Sequence, residues 1–340
     1  MKVIQVGIGG MGNAWLGAVQ RSPQVDFAAF VEVNADIADQ QAAAYGLDRS
    51  LIFRTLPEAL TQADADAVIN VTPPQFHREI SVMALEADLP VLSEKPLAGT
   101  LDDARAIVDA AERTGLLHSV AQNYRYRPPT QTIKRVLNSG ALGAVGAVHV
   151  EFYKGPHFGG FREEMPQPLI VDMAIHHFDL LRFFLDSDAR SISARSWNPP
   201  WSWYSGDASA AAQLDFASGV QVSYVGSWCS QACETSWNAN WRFDCERGVL
   251  RVEDDVVRVQ RLLDVGDGGG ALRNRHSQPE ILPQLDMARE GQDYLLDEFV
   301  GAVESGASTA TSAQDNIRTM ELVFGVVRAC ETGEPVQLSG

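Results

Sequence analysis

In the first third of the chain, short apolar runs alternate with stretches in which apolar residues recur at helical spacing. Val3 to Val6, Phe27 to Val33, Ala67 to Val71, Pro90 to Ser93 and Leu116 to Ala121 predict strands. Met11 to Gln20, Asp36 to Tyr45, Phe76 to Ala87 and Leu101 to Arg113 predict helices between them. Gly46 and Gly115 suit helix ends, and Pro57 suits a helical first turn. Strand–helix alternation, with strands apolar on both faces, predicts a parallel, doubly wound sheet.

The pattern changes near Gln122. Asn123-Tyr124-Arg125-Tyr126-Arg127-Pro128-Pro129 is polar, aromatic and proline-bearing, as expected of a crossover between domains. A helix is predicted from Thr130 to Asn138, ended by Gly140. Strand-like stretches then dominate: Ala147 to Tyr153, Ser191 to Trp197, Ala208 to Phe216, Val220 to Ser227, Trp237 to Cys245 and Gly248 to Leu263. A single helix, Leu169 to Phe184, interrupts them. Runs of strands predict a large, mostly antiparallel sheet with few helices. Asp264 to Gln278 is Gly-rich and polar and reads as a mobile loop; helices over Asp293 to Glu304 and Ala313 to Thr332 close the chain. The fold class expected is therefore α/β, with a dinucleotide-binding domain over 1–122. An α+β domain for substrate binding and oligomerisation follows over 123–340, its closing helices able to pack back on the first domain.

Composition narrows the function. The 340 residues carry 27 Lys and Arg against 44 Asp and Glu, a formal charge of −17, so the protein's own field opposes a nucleic-acid backbone. No apolar stretch approaches the ~20 residues of a membrane span, and the N-terminus runs straight into a strand without a signal-like apolar core. Cys229, Cys233, Cys245 and Cys330 have neither disulfide-framework nor paired zinc-site spacing. A soluble cytoplasmic protein is expected.

Gly7-Ile8-Gly9-Gly10-Met11-Gly12 is G-x-G-x-x-G, placed after the first strand and opening the first helix. The first glycine permits the tight turn, the second lets backbone approach a pyrophosphate, and the third lets helix and strand pack closely. Glu32 stands at the end of the second strand, where a carboxylate accepts from ribose hydroxyls and repels a 2′-phosphate. No Arg lies nearby in sequence to receive that phosphate, which favours NAD over NADP. Thr72 and Pro73 follow another strand at the ligand-binding edge of such a sheet. With His77 they are candidate cofactor contacts, or alternatively turn and cap residues.

Ser93-Glu94-Lys95-Pro96 ends the next strand. A partly buried ammonium at Lys95 can hold a substrate hydroxyl and help move its proton; paired only with Glu94, it would be a surface lysine. Asp172 and His176 are four apart, on one face of a helix, so the carboxylate can orient an imidazole that titrates near neutrality. A metal site of Asp172, His176 and Asp179 has no established ligand spacing, and a helix cap with a structural His is the plainer alternative for this segment. His177 points elsewhere and reads as structural.

The order of these features resembles the Gfo/Idh/MocA oxidoreductases: the glycine loop, the acid after strand two, Glu-Lys-Pro, the Asn-Tyr-Arg crossover and Asp-x-x-x-His. The resemblance runs through nearly the whole chain. It implies a Rossmann domain joined to a ferredoxin-like α/β domain with a large open sheet, and sugar or polyol substrates. The family's functional Lys, Asp and His fall on Lys95, Asp172 and His176. The segment departs from the family's usual Gly before the His, reading Met-Ala-Ile-His-His. Gly7, Gly9, Gly10, Met11, Gly12, Glu32, Thr72, Pro73, His77, Glu94 and Lys95 are then the expected cofactor contacts. Lys95, Tyr124, Lys154, Asp172 and His176 are the expected substrate contacts, and no metal is expected.

The reaction expected is hydride transfer between a nicotinamide and a secondary alcohol or ketone of a sugar, glycoside or cyclitol. A redox-neutral enzyme with retained NAD and a non-catalytic sensor are the alternatives. Six of seven tryptophans lie between Trp197 and Trp241, as a sugar platform or as core and subunit interface. An exposed sheet face would call for a homodimer or homotetramer.

Overall fold

A computed structural model describes residues 1–265 and 274–338. The chain divides into two units, Met1–Tyr126 with Ala288–Met320, and Arg127–Met287 with Glu321–Gly340.

In the first unit the apolar runs become β1 (Lys2–Val6), β2 (Asp26–Val31), β3 (Ile52–Phe53), β4 (Ala67–Asn70), β5 (Val91–Ser93) and β6 (His118–Val120). Between them run α1 (Gly12–Arg21), α2 (Ala35–Tyr45), α3 (Leu56–Gln62), α4 (His77–Glu86) and α5 (Leu101–Thr114). The sheet order is β3-β2-β1-β4-β5-β6, all pairs parallel. Ile4, Val6, Ala29, Val31, Val68 and Val91 are buried beneath flanking helices. The strands are mostly apolar for that reason.

Local chemistry sets the helix limits. Asn34 caps α2 by accepting from the Asp36 and Ile37 amides, and Gly46 ends it at φ +66°. Thr55 and Glu58 form a reciprocal capping box at α3. β3, two residues long, was not expected; a pair of residues carries no periodicity to read.

The second unit begins with α6 (Pro128–Asn138) and β7 (Val145–Tyr153). A π-helical stretch over Leu169–Ala174 leads into α7 (Ile175–Leu185). Next come β8 (Ala189–Trp197), β9 (Ser209–Phe216), β10 (Gln221–Ser227), β11 (Asn240–Cys245), β12 (Gly248–Glu253) and β13 (Val256–Val265). The rest is β14 (Asn274–His276), β15 (Glu280–Ile281), α8 (Gly291–Ser305), α9 (Ala313–Thr332) and β16 (Val336–Gln337); α8 belongs to the first unit, and the division falls within α9. The sheet runs β14-β13-β12-β11-β7-β10-β9-β8-β16, with β15 beside β13. Among the described residues of this sheet, only β7 and β10 pair in parallel. Its inner face packs on α7, where Phe184 meets Trp241 and Phe243 edge-on at 5.3 and 5.5 Å. On the outer face His149, Glu151, Gln221, Arg242 and Arg251 are exposed.

Two expectations are corrected here. The stretch Gly248 to Leu263 is a hairpin, not one strand: Asp254 and Asp255 adopt φ +49° and +63°, the positive pair of a tight turn, and β12 and β13 then pair. The stretch Asp264 to Gln278 is not wholly a loop, since β13 continues to Val265 and pairs with β14; residues 266–273 lie outside the described residues.

Candidate active site

All the cofactor candidates of the first unit lie at the carboxyl ends of its parallel strands, around the point between β1 and β4 where the strand order reverses. That is where open α/β sheets bind ligands. Gly7 leaves β1 at φ +88°, and a Cβ there would lie 2.7 Å from the Val71 carbonyl oxygen. A Cβ on Gly12 would lie 2.6 Å from the Gly7 carbonyl oxygen. Gly10, by contrast, has nothing within 4 Å of its Cβ position. Gly7 and Gly12 are thus required by packing, whereas of the two glycines between them Gly9 lies in ordinary contact with Ile37 and Gly10 faces open space. Gln5, buried in β1, braces the turn by donating to the Gly7 and Gly12 carbonyls at 3.1 and 3.0 Å. Met11 supplies no side-chain cap to α1; the Gly12, Asn13 and Ala14 amides donate instead to the carbonyls of Gly9, Gly10 and Met11.

Glu32 follows β2, and its carboxylate folds back on the loop. Oε2 accepts from the Ile8 amide at 3.3 Å and Oε1 from the Asn34 amide at 3.0 Å. At the end of β4, Asn70 is buried and accepts from the Thr72 amide and hydroxyl at 3.2 and 2.7 Å, which fixes the Thr72-Pro73 turn. His77 is fully buried. Its Nδ1 lies 2.8 Å from the Pro96 carbonyl oxygen and its Nε2 2.7 Å from that of Thr72. Burial holds its pKa below the ordinary value. His77 therefore touches two site loops through their backbones and presents no open edge.

Lys95 leaves β5 half-buried, and Lys95–Pro96 is a cis peptide. Glu94 is buried; Oε1 accepts from the Trp15 indole at 2.8 Å and Oε2 from the Lys95 amide at 3.1 Å. The carboxylate thus braces the Lys95 backbone against α1. Tyr124 lies buried in a short 3-10 turn, Asn123–Tyr126.

In the second unit, Asp172 lies in the π-helical stretch and His176 in the first turn of α7, both largely buried. Hydrogen bonds in a π turn run i to i+5, so the four-residue spacing does not stack side chains as it would in a uniform α-helix. The plain α-helix expected over this segment is corrected accordingly. Asp172 Oδ2 accepts from Arg162 Nε at 2.7 Å. Arg162 lies over the Phe158 and Phe161 rings, 5.4 and 4.9 Å from their centroids. Lys154 pairs with Glu234 at 2.9 Å and lies 5.4 Å from the Trp237 ring centroid. His177 is packed in the core against Phe152 and Tyr224, and burial pulls its pKa down to about 3. The tryptophans divide: Trp228 and Trp241 are core, whereas Trp197, Trp201 and Trp237 are 43%, 61% and 39% exposed.

Residues 1–122 match the oxidoreductase family with an NAD-binding Rossmann fold, and residues 130–251 match the Gfo/Idh/MocA C-terminal domain. The chain belongs to the Gfo/Idh/MocA family. Among the relatives of this Gfo/Idh/MocA protein is a 1,5-anhydro-D-fructose reductase of Ensifer adhaerens, 24% identical, covering 98% of this chain and 97% of its own. Another is an inositol 2-dehydrogenase of Saccharopolyspora erythraea, 26% identical, covering 100% and 94%. An oxidoreductase from Agrobacterium radiobacter, solved with NAD+, L-tartaric acid and magnesium, shares the fold with a TM-score of 0.85. It is 23% identical, over 99% of this chain and 98% of that one.

NAD, the family's cofactor, fits the residues present. The open space over Gly10 admits a pyrophosphate to the loop backbone ahead of α1, and Glu32 offers a carboxylate to the adenosine ribose. Reading along the chain did not find Trp15, Arg54 or Arg162. Trp15 and Arg162 meet Glu94 and Asp172 across gaps that no local pattern marks. Arg54 follows β3, the strand too short to detect, and its guanidinium donates to the Val33 carbonyl at 3.2 Å, beside Glu32. The expectation that no Arg accompanies Glu32 holds along the sequence and fails in space.

Proposed function

We propose that this Gfo/Idh/MocA protein oxidises a secondary alcohol of a sugar, glycoside or cyclitol with NAD, or reduces the corresponding ketone. The observation that carries the reading is Lys95 at the carboxyl edge of the same sheet that carries the glycine loop and Glu32, its backbone braced by Glu94. The names of the relatives support the substrate class.

Bound NAD supplies hydride transfer at the nicotinamide ring. Gly9, Gly10 and Met11 would hold its pyrophosphate through backbone amides, and Glu32 its ribose. Lys95 holds the substrate oxygen by a charge-assisted hydrogen bond and stabilises negative charge developing on it. His176 accepts the hydroxyl proton on oxidation and returns it on reduction. Asp172, itself gripped by Arg162, orients the reacting groups. Tyr124 and Lys154 are proposed to complete the substrate contacts, and Thr72 and Pro73 those of the cofactor.

The test is NADH formation across a panel of inositols, aldoses and glycosides, for the wild type and Lys95→Ala. A strong hit, lost by about 100-fold or more in the variant with NAD affinity kept, supports the assignment. Unchanged turnover in a folded Lys95→Ala variant overturns the role given to Lys95.

The exposed outer face of the second unit's sheet supports a homodimer or homotetramer as the working assembly, checked by light scattering on the eluted protein. Among the described residues, no helix is long and apolar enough to cross a membrane. Four cysteines outside any disulfide agree with the cytoplasm as the proposed location.

A further inference from the structure

We propose that Arg54 is a second determinant of dinucleotide choice, placed to receive a 2′-phosphate, so that preference between NAD and NADP is a contest between Glu32 and Arg54. The placement follows from strand pairing. β2 and β3 run parallel in register Phe30 to Ile52 and Val31 to Phe53, so Glu32 and Arg54 leave the sheet side by side. The Glu32 amide donates to the Phe53 carbonyl at 3.0 Å, and Arg54 Nη2 reaches the Val33 carbonyl at 3.2 Å. The Arg54 backbone is fixed, its amide donating to the Glu58 carboxylate of the α3 capping box at 3.1 Å. Its side chain is exposed and, among the described residues, forms no ion pair. A guanidinium held there by one bond to a neutral carbonyl keeps donors for an incoming phosphate, which a planar fork suits well.

Its competitor is held differently. The two backbone amides on the Glu32 carboxylate keep a negative charge against the glycine loop. That charge accepts from a 2′-hydroxyl and opposes a 2′-phosphate. The Asn34 side-chain oxygen is committed to capping α2. Arg54 is thus the cation this strand end offers, and Glu32 the obstacle beside it. The proposal rests on NAD binding at the glycine loop.

Titration calorimetry with NAD and NADP on the wild type, Arg54→Ala, Glu32→Gln and the double variant tests it. Arg54→Ala should weaken NADP by about ten- to a hundredfold and leave NAD within about twofold, as for loss of one charge-assisted contact. Glu32→Gln should tighten NADP by about tenfold or more, and adding Arg54→Ala should remove that gain. The NADP affinity of Glu32→Gln should also fall more steeply with salt than that of the double variant. NADP affinity indifferent to Arg54 in both backgrounds, or an equal loss of NAD and NADP, overturns the proposal. Failure of wild type to bind NAD would instead overturn the cofactor reading on which it rests.

Discussion

Gly12 shows how little room the cofactor loop has at a single position. A methyl group there would stand 2.6 Å from the Gly7 carbonyl oxygen, an atom of backbone that cannot turn aside as a side chain could. Gly12→Ala must move the turn or the helix start, at about 1–3 kcal/mol. Because the displaced atoms belong to the pyrophosphate cradle, the loss should appear in binding. NAD affinity should fall by about tenfold or more with the far-ultraviolet circular dichroism unchanged. Wild-type affinity in that variant would show that the loop does not hold the cofactor. Residue types at this scale were legible in advance, because the glycine requirement is written into a six-residue window. His77 was not legible in its role: the sequence offered it as a contact, and its burial between two carbonyls became visible only in the fold.

At the scale of elements, the Trp15–Glu94 bond couples α1, which opens on the glycine loop, to the turn that carries Lys95. Both side chains are buried, so removing the indole donor leaves a carboxylate oxygen without it in a place water does not reach. Trp15→Phe keeps most of the packing and should cost about 1–3 kcal/mol in urea unfolding. It should also lower kcat, since the Lys95 amide hangs on the other oxygen of Glu94. A Trp15→Phe variant as stable as wild type would show that the bond contributes nothing. The terminal glycines and the apolar runs of the first unit were readable because each is a short-range pattern, whereas the capping box at α3 was not read in advance. Nor was the π turn under Asp172. Its sequence, Leu169 to Ala174, is that of an ordinary apolar helix, and no residue in it marks the i to i+5 bonding.

At the scale of the whole molecule, buried imidazoles make stability depend on pH. Burial pulls both His118 and His177 down to about 3. In the unfolded chain each takes up a proton below about 6.5, so between that value and about 3 the unfolded state binds more protons. The stability contributed by the neutral rings is complete above the unfolded value and is lost as the pH falls through the window. Each ring gives a slope of about 1.4 kcal/mol per pH unit there. The urea midpoint should therefore drop between about pH 7 and pH 5, with uptake of protons on unfolding. A midpoint that stays constant over that range would show both rings already charged in the fold.

Whatever depends on neighbours in the chain was determined by the sequence itself: the parallel α/β unit, the glycine loop, the lysine turn after β5, and the shift to a β-rich second unit. Each rests on steric and hydrogen-bonding rules that act within a few residues. What depends on neighbours in space was decided by tertiary structure alone. Arg54 beside Glu32, Arg162 on Asp172 and Trp15 on Glu94 are pairs separated by 22, 10 and 79 positions, joined because the fold delivers them to the same place. A charge or an indole carries no mark of its partner until the backbone has closed around it.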